Sequence, residues 1–157
     1  MKIVSEKKHR LLRELYNGYR IVSFTLCIKD NVELFRDSNI VKKFEDILLS
    51  EAIKFNCEVL LYLFMPDHCH ILLQGKDEQV NVLDTIDRFK QKTGYWLSKN
   101  YPEAYWQKDY YDHILRKEED VKKHIRYILE NPVKRNMVED WKEYQFKGSA
   151  VYNLDEW

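Results

Sequence analysis

Glycine and proline are scarce in this chain, four and three residues among 157. That excludes a glycine-rich repeat or a Pro/Gly linker and leaves regular elements joined by compact turns. No internal repeat or low-complexity tract interrupts it. Cysteine is scarce too: Cys27, Cys57 and Cys69, an odd count with no C-x-x-C pair. Together with an N-terminal "MKIVSEKKHRLL" that has no continuous apolar stretch, this implies a reducing, cytoplasmic setting. No run approaches the ~20 apolar residues of a membrane helix, so no membrane partner is expected. Charge of one sign is also missing: 26 Lys and Arg balance 26 Asp and Glu. A globally basic nucleic-acid binder is therefore excluded, and any such affinity must come from local patches.

What is abundant is aromatic: 14% of the chain, with 11 Tyr and 4 Trp. Tyrosine packs well and keeps a polar tip, which suits a core and also a surface that stacks on flat partners. A length of 157 residues supports one domain. The expected division is a core over about 19–131 and a C-terminal tail over 132–157.

Hydrophobic pattern gives the elements. "YRIVSFTLCIKD" (19–30), rich in β-branched and aromatic residues, reads as a strand. Residues 38–56 carry Ile40, Val41, Phe44, Ile47, Leu48 and Ile53 at helical spacing, with Ser38 as N-cap. Residues 57–66 and 69–75 are two strands separated only by Pro66, Asp67 and His68, hence a hairpin. A helix over 80–100 places Val82, Leu83, Ile86, Phe89 and Leu97 on its apolar side. A strand is expected over 104–117. A helix over 118–131 has acids in its first turn, which suits the helix dipole, and Pro132 ends it. The order β-α-β-β-α-β-α matches an α+β, ferredoxin-like plan, an antiparallel sheet with two helices on one face, plus an additional C-terminal helix.

The chemistry concentrates in "MPDHCHILLQG" (65–75). His68 and His70 are two apart in a strand and so project from one face, while Cys69 points the other way. Two neutral imidazoles from one face can ligate a divalent ion. The alternative is two histidines satisfied by backbone carbonyls. Two ligands do not close a site, and Asn131 is the candidate third. It follows Tyr127 by one helical turn, and its amide oxygen suits Mg²⁺ or Mn²⁺. The alternative for Asn131 is a helix C-cap before Pro132. Tyr127 is a candidate nucleophile; the alternative is a tyrosine packed on the sheet, and Tyr110 and Tyr111 are rivals.

"MPDHCHILL" and "YWQKDYYDHILRKEEDVKKHIRYILENPVKRNMV" together resemble the REP-associated tyrosine transposases. These are relatives of the single-tyrosine transposases of bacterial single-strand insertion sequences, within the HUH endonuclease superfamily. The resemblance covers about residues 19 to 150. It implies the ferredoxin-like fold, His68 and His70 as the metal-binding pair, Tyr127 as nucleophile and Asn131 as the residue that completes a Mg²⁺ or Mn²⁺ site. Cys69, at a position usually hydrophobic, is a mild departure. It also implies a partner: single-stranded DNA bearing a REP-like hairpin, cleaved through a 5′-phosphotyrosine with a free 3′-OH. A monomer and a homodimer, with active sites in cis or in trans, both remain open.

Local charge supplies candidate DNA contacts: Arg88, Lys90, Lys92 and Lys99 on the second helix, and Lys134 and Arg135 after Tyr127. Asp112 and His113 are candidates for orienting a metal ligand from behind. Two other functions compete with a nicking and joining enzyme. One is a domesticated nucleic-acid-binding module that does not cleave. The other is a metal-dependent phosphodiesterase that uses water, with Tyr127 structural.

Overall fold

In the computed structural model, residues 12–157 are described. The chain forms β1 (Ile21–Cys27), α1 (Ser38–Lys54), β2 (Cys57–Met65), β3 (His68–Gly75), α2 (Val82–Asn100), β4 (Tyr111–Leu115), α3 (Glu118–Leu129), α4 (Asn131–Lys134) and β5 (Lys147–Gly148). The strands make one sheet in the order β4-β1-β3-β2-β5, with every neighbouring pair antiparallel. Its first four strands have the order of the split β-α-β plan. Among the described residues no helix is long and apolar enough to cross a membrane.

Strand alternation sorts the apolar residues onto two faces. Val22, Phe24 and Leu26 of β1 and Ile71 and Leu73 of β3 face α1 and α2, where Phe44, Leu48, Ile86 and Phe89 complete a core. Phe35, Phe44 and Phe64 meet edge to face at 5.0–6.5 Å, a geometry that adds about 0.5–1.5 kcal/mol per pair beyond burial. The indole N–H of Trp106 in the same core donates to Thr93 Oγ1 at 2.9 Å. On the other face, Leu61, Leu63 and Leu72 meet Val121, Ile125, Ile128 and Leu129 of α3. A bulge between Val59 and Leu61 turns Leu60 as well as Leu61 toward α3. The sheet is thus buried on both sides, with α3 and the C-terminal tail on the face opposite α1 and α2.

Several boundaries differ from the sequence expectation. The N-cap of α1 is Asp37, whose carboxylate accepts from the backbone N–H groups of Asn39 and Ile40; Ser38 is already inside the helix. Ile53 is 80% exposed, because Phe44, Leu48 and Ala52 set the buried stripe and Ile53 falls well off it. The hairpin turn holds two residues, Pro66 and Asp67, and His68 already pairs with Met65 as the start of β3. The turn is tied down by Phe35 N–H donating to the Pro66 carbonyl and Ile28 N–H to that of Asp67, both at 2.9 Å.

The expected strand over 104–117 shrinks to Tyr111–Leu115. Ahead of it, Trp106 and Tyr110 turn into the helix-side core, and only an isolated Ile28–Trp106 bridge joins that segment to the sheet. Pro132 does not close α3. The helix ends at Leu129, and Pro132 sits in the first turn of α4, where its missing N–H costs nothing. The tail is ordered against the α3 side and adds β5 to the edge of β2. There Gly148 passes so close to Tyr62 that a Cβ would collide with the phenol oxygen.

Candidate active site

β3 has its core face toward α1 and α2, so its other face delivers His70 toward α3, with His68 two residues earlier at the rim. Their rings lie 5.0 Å apart at 88°. His68, His70, Tyr127 and Asn131 line one cavity of ≈ 330 Å³, joined by Thr25, Cys27, Asn31, Asp67 and Arg135. All four expected site residues of one chain therefore meet, although they come from β3, α3 and α4. The Asn131 amide nitrogen lies 3.4 Å from Nε2 of His70. Tyr127 and Asn131 are not on one continuous helix, but the short break before α4 keeps both on this cavity.

Each imidazole is held from behind. His68 Nδ1 lies 2.7 Å from the Asp67 carboxylate, which can only accept, so Nδ1 carries the proton and Nε2 keeps its lone pair. His70 Nδ1 lies 3.1 Å from Thr25 Oγ1, its cross-strand partner in the β1–β3 register. With the hydroxyl accepting, His70 Nε2 likewise keeps its lone pair and accepts from the Asn131 amide N–H. Burial lowers the His70 imidazole well below its usual 6.5, with the neighbouring His68 adding to it. Burial also lowers His68, against partial opposition from Asp67. Both rings are thus neutral at pH 7, the form that ligates.

Among the described residues no three His, Cys, Asp or Glu side chains form a cage. The donor set available here is two imidazole nitrogens and an amide oxygen, which leaves positions open for water or substrate oxygens. That set fits a divalent cation of intermediate hardness such as Mn²⁺, or Mg²⁺.

Tyr127 is half-buried, with its ring stacked on His124 at 6.4 Å and 14°. The Lys134 ammonium sits 4.2 Å from the Tyr127 ring centre, a cation–π contact. The rival tyrosines are elsewhere. Tyr110 is buried on the helix-side core with its hydroxyl donating to Asp87. Tyr111 is in β4, outside the cavity lining.

The remaining expectations separate by face. Arg135 lines the cavity and Lys134 borders it. Arg88, Lys90, Lys92 and Lys99 lie on α2, across the sheet from the cavity, and most are engaged there. Lys92 is 3.1 Å and Arg88 4.0 Å from Glu51, a carboxylate 1% exposed. Burial would raise the Glu51 carboxyl, but Lys92 and Lys54 overcome it and hold it below its usual value. Lys90 donates to the Lys108 carbonyl, and Lys99 lies over the Tyr95 ring. These four do not extend the site.

Asp112 is likewise on the far face, accepting from Tyr16 Oη at 2.7 Å, so it cannot orient either histidine. His113 faces the α3 side, 6.5 Å from His124 rather than beside His68 or His70. The groups that do orient the pair are Asp67 and Thr25. Asp67 was legible as the acid directly before His68, while nothing local in the sequence marks Thr25.

Known proteins resemble this chain in sequence and in fold. The family model described as "Transposase IS200 like" matches residues 19–131. A Haemophilus influenzae protein named as a REP-associated tyrosine transposase is 25% identical over 134 residues, covering 78% of this chain and 76% of its own. A REP-associated tyrosine transposase solved bound to a REP hairpin has the same fold, with a TM-score of 0.73 at 17% identity over 90% of this chain and 81% of that one. A Deinococcus radiodurans protein assigned as a transposase follows at a TM-score of 0.52 and 21% identity, over 80% and 96%. The resemblance first carried by "MPDHCHILL" and "YILENPVK" thus holds along most of the molecule: the chain belongs to the IS200-like transposase family, and its likeness within that family is to the REP-associated tyrosine transposases.

Proposed function

We propose that this transposase-family protein nicks and rejoins single-stranded DNA beside a hairpin, with Tyr127 as nucleophile and His68, His70 and Asn131 as ligands of Mg²⁺ or Mn²⁺. The observation that carries the reading is the convergence of these four side chains on one cavity of a single chain. It supports a cis active site, in a monomer or in each half of a dimer.

The Tyr127 phenol oxygen attacks the scissile phosphorus and loses its proton. The bond from phosphorus to the 3′ oxygen breaks, and that oxygen leaves as a free 3′-OH after taking up a proton. The phosphodiester energy is kept in a 5′-phosphotyrosine, so a later 3′-OH can reverse the step. A free phenol has a pKa of about 10, which makes it a weak nucleophile at neutral pH. A bound divalent ion would supply Lewis-acid polarisation of the phosphate. Arg135, in the cavity wall, pairs with a non-bridging phosphate oxygen and holds the strand. Asp67 and Thr25 fix the ring orientations, so little reorganisation is required when the site fills.

The hairpin partner is supported by the likeness to the transposase solved with a REP hairpin. The test is incubation with hairpin-bearing single-stranded DNA and Mn²⁺. A protein–DNA adduct that survives denaturant, absent in Tyr127→Phe and in EDTA, is the expected result. Cleavage without an adduct would overturn the nucleophile in favour of activated water.

A further inference from the structure

Tyr127 borders a second cavity as well. Between β4 and the first half of α3 lies a groove of ≈ 670 Å³ whose wall includes Arg116, Lys117, Lys123, His124 and Tyr127. Tyr127 is the one described residue common to this groove and the histidine cavity. His124, 2% exposed and hydrogen-bonded to Ser23 of β1, stacks against the tyrosine from the groove side. Tyr127 therefore forms part of the wall of both hollows.

The groove is built for an anion chain. Arg116, Lys117 and Lys123 face one carboxylate, that of Asp120, in its lining. Glu118 and Glu119, though adjacent in sequence, do not line it. Among the described residues none of these three cations forms an ion pair, in contrast to Arg88 and Lys92, which pair with Glu51. Three exposed cations in one groove repel one another and are stabilised by a ligand that carries several negative charges at a regular spacing. Ile114 and Leu115 give the groove an apolar patch as well, which accommodates sugar or base faces and distinguishes it from a simple phosphate site.

We propose that the groove between β4 and α3 holds the backbone of single-stranded DNA on one side of the bond presented to Tyr127, with Arg116, Lys117 and Lys123 contacting its phosphates. The strand then runs from the histidine cavity over the phenol into this groove. The inference rests on the reading of Tyr127 as nucleophile and assigns a track for the strand that the α2 lysines cannot provide.

The test compares the wild-type chain with the triple variant Arg116→Gln, Lys117→Gln, Lys123→Gln. The probe is a DNA hairpin with single-stranded extensions on both sides, bound over a range of salt. Three lost phosphate contacts on a single strand should flatten the slope of log K against log salt by about two. Removing one extension, and not the other, should abolish the difference between variant and wild type. An unchanged slope in a variant that melts like the wild type overturns the proposal.

A measurement without substitution runs beside it: lysine acetylation of the wild-type chain. DNA should protect Lys117 and Lys123 and leave Lys99 reactive; unprotected Lys117 and Lys123 count against the groove. An RNA hairpin of the same sequence that binds more tightly than the DNA also overturns the assignment. A Tyr127 adduct with an unchanged salt slope sinks the groove alone. A flattened slope without any adduct keeps the groove and sinks the nucleophile.

Discussion

The Asn131 amide lies 3.4 Å from Nε2 of His70, across 61 positions of sequence. The contact crosses from the start of α4 to the α3-side face of a central strand, and it brings an amide side chain to a buried imidazole. His70 is 4% exposed and could not approach a cation unless that cation entered the cavity.

The orientation of the histidines is the first testable consequence. Asp67→Ala should lower Mn²⁺ affinity by about 10–100-fold, and Thr25→Val should act in the same direction. Asp67→Asn should restore most of the loss, because an amide oxygen still accepts from Nδ1. Calorimetric titration with MnCl₂ reads this directly. Equal losses in Asp67→Ala and Asp67→Asn would show that charge, not ring orientation, is the contribution.

Cations on the two faces of the sheet should differ in effect. Arg135→Gln should weaken single-stranded DNA binding by several-fold at low salt, a loss of one phosphate contact. Lys99→Gln, on α2 over Tyr95, should leave binding unchanged. Fluorescence anisotropy with a labelled hairpin oligonucleotide distinguishes them, and a larger effect at Lys99 would relocate the interface to the helix layer.

Acid should destabilise the metal-free protein. Burial, aided by His113, holds the His124 imidazole at about 4, against an ordinary 6.5. Between those values the unfolded chain binds a proton that the folded chain refuses. Stability is therefore complete above about pH 6.5 and falls as pH drops toward 4, by at most about 3 kcal/mol from this residue. His70 and His68, lowered as well, add in the same direction. Urea midpoints measured at intervals from about pH 7.5 to 4 should fall, and His124→Gln should flatten part of the fall. A midpoint that rises on acidification contradicts the burial argument.

The start of α1 offers a structural check. Asp37→Ala removes the side-chain acceptor of two N–H groups and should cost about 1 kcal/mol. Ser38→Ala, one residue later, should be neutral or slightly stabilising, since alanine is the better helix former. Thermal melts of the two variants settle which residue caps.

Much of this was legible in the sequence because it is local. The i, i+2 spacing of His68 and His70 placed both on one face of a strand, and the spacing of Val121, Ile125, Ile128 and Leu129 gave the inward side of α3. The motif residues His68, His70, Tyr127 and Asn131 could be named because they sit in two short, distinctive strings.

What was not legible depends on register or on layer. Thr25 meets His70 only because β1 and β3 pair Thr25 with His70, a relation no local pattern encodes. Asp112 and the α2 cations look as close to the site as any others in sequence, yet the sheet lies between them and it. Ile53 keeps a helical interval from neighbours but falls off the stripe that the sheet covers. β5 is two residues long and has no period to read.

The most direct test of the central claim is the chemical address of the adduct. After reaction of the chain with hairpin-bearing single-stranded DNA and Mn²⁺, nuclease and protease digestion followed by mass spectrometry should find a nucleotide remnant on the peptide that carries Tyr127. A remnant on Tyr110 or Tyr111, or cleaved DNA with every tyrosine peptide unmodified, would contradict it.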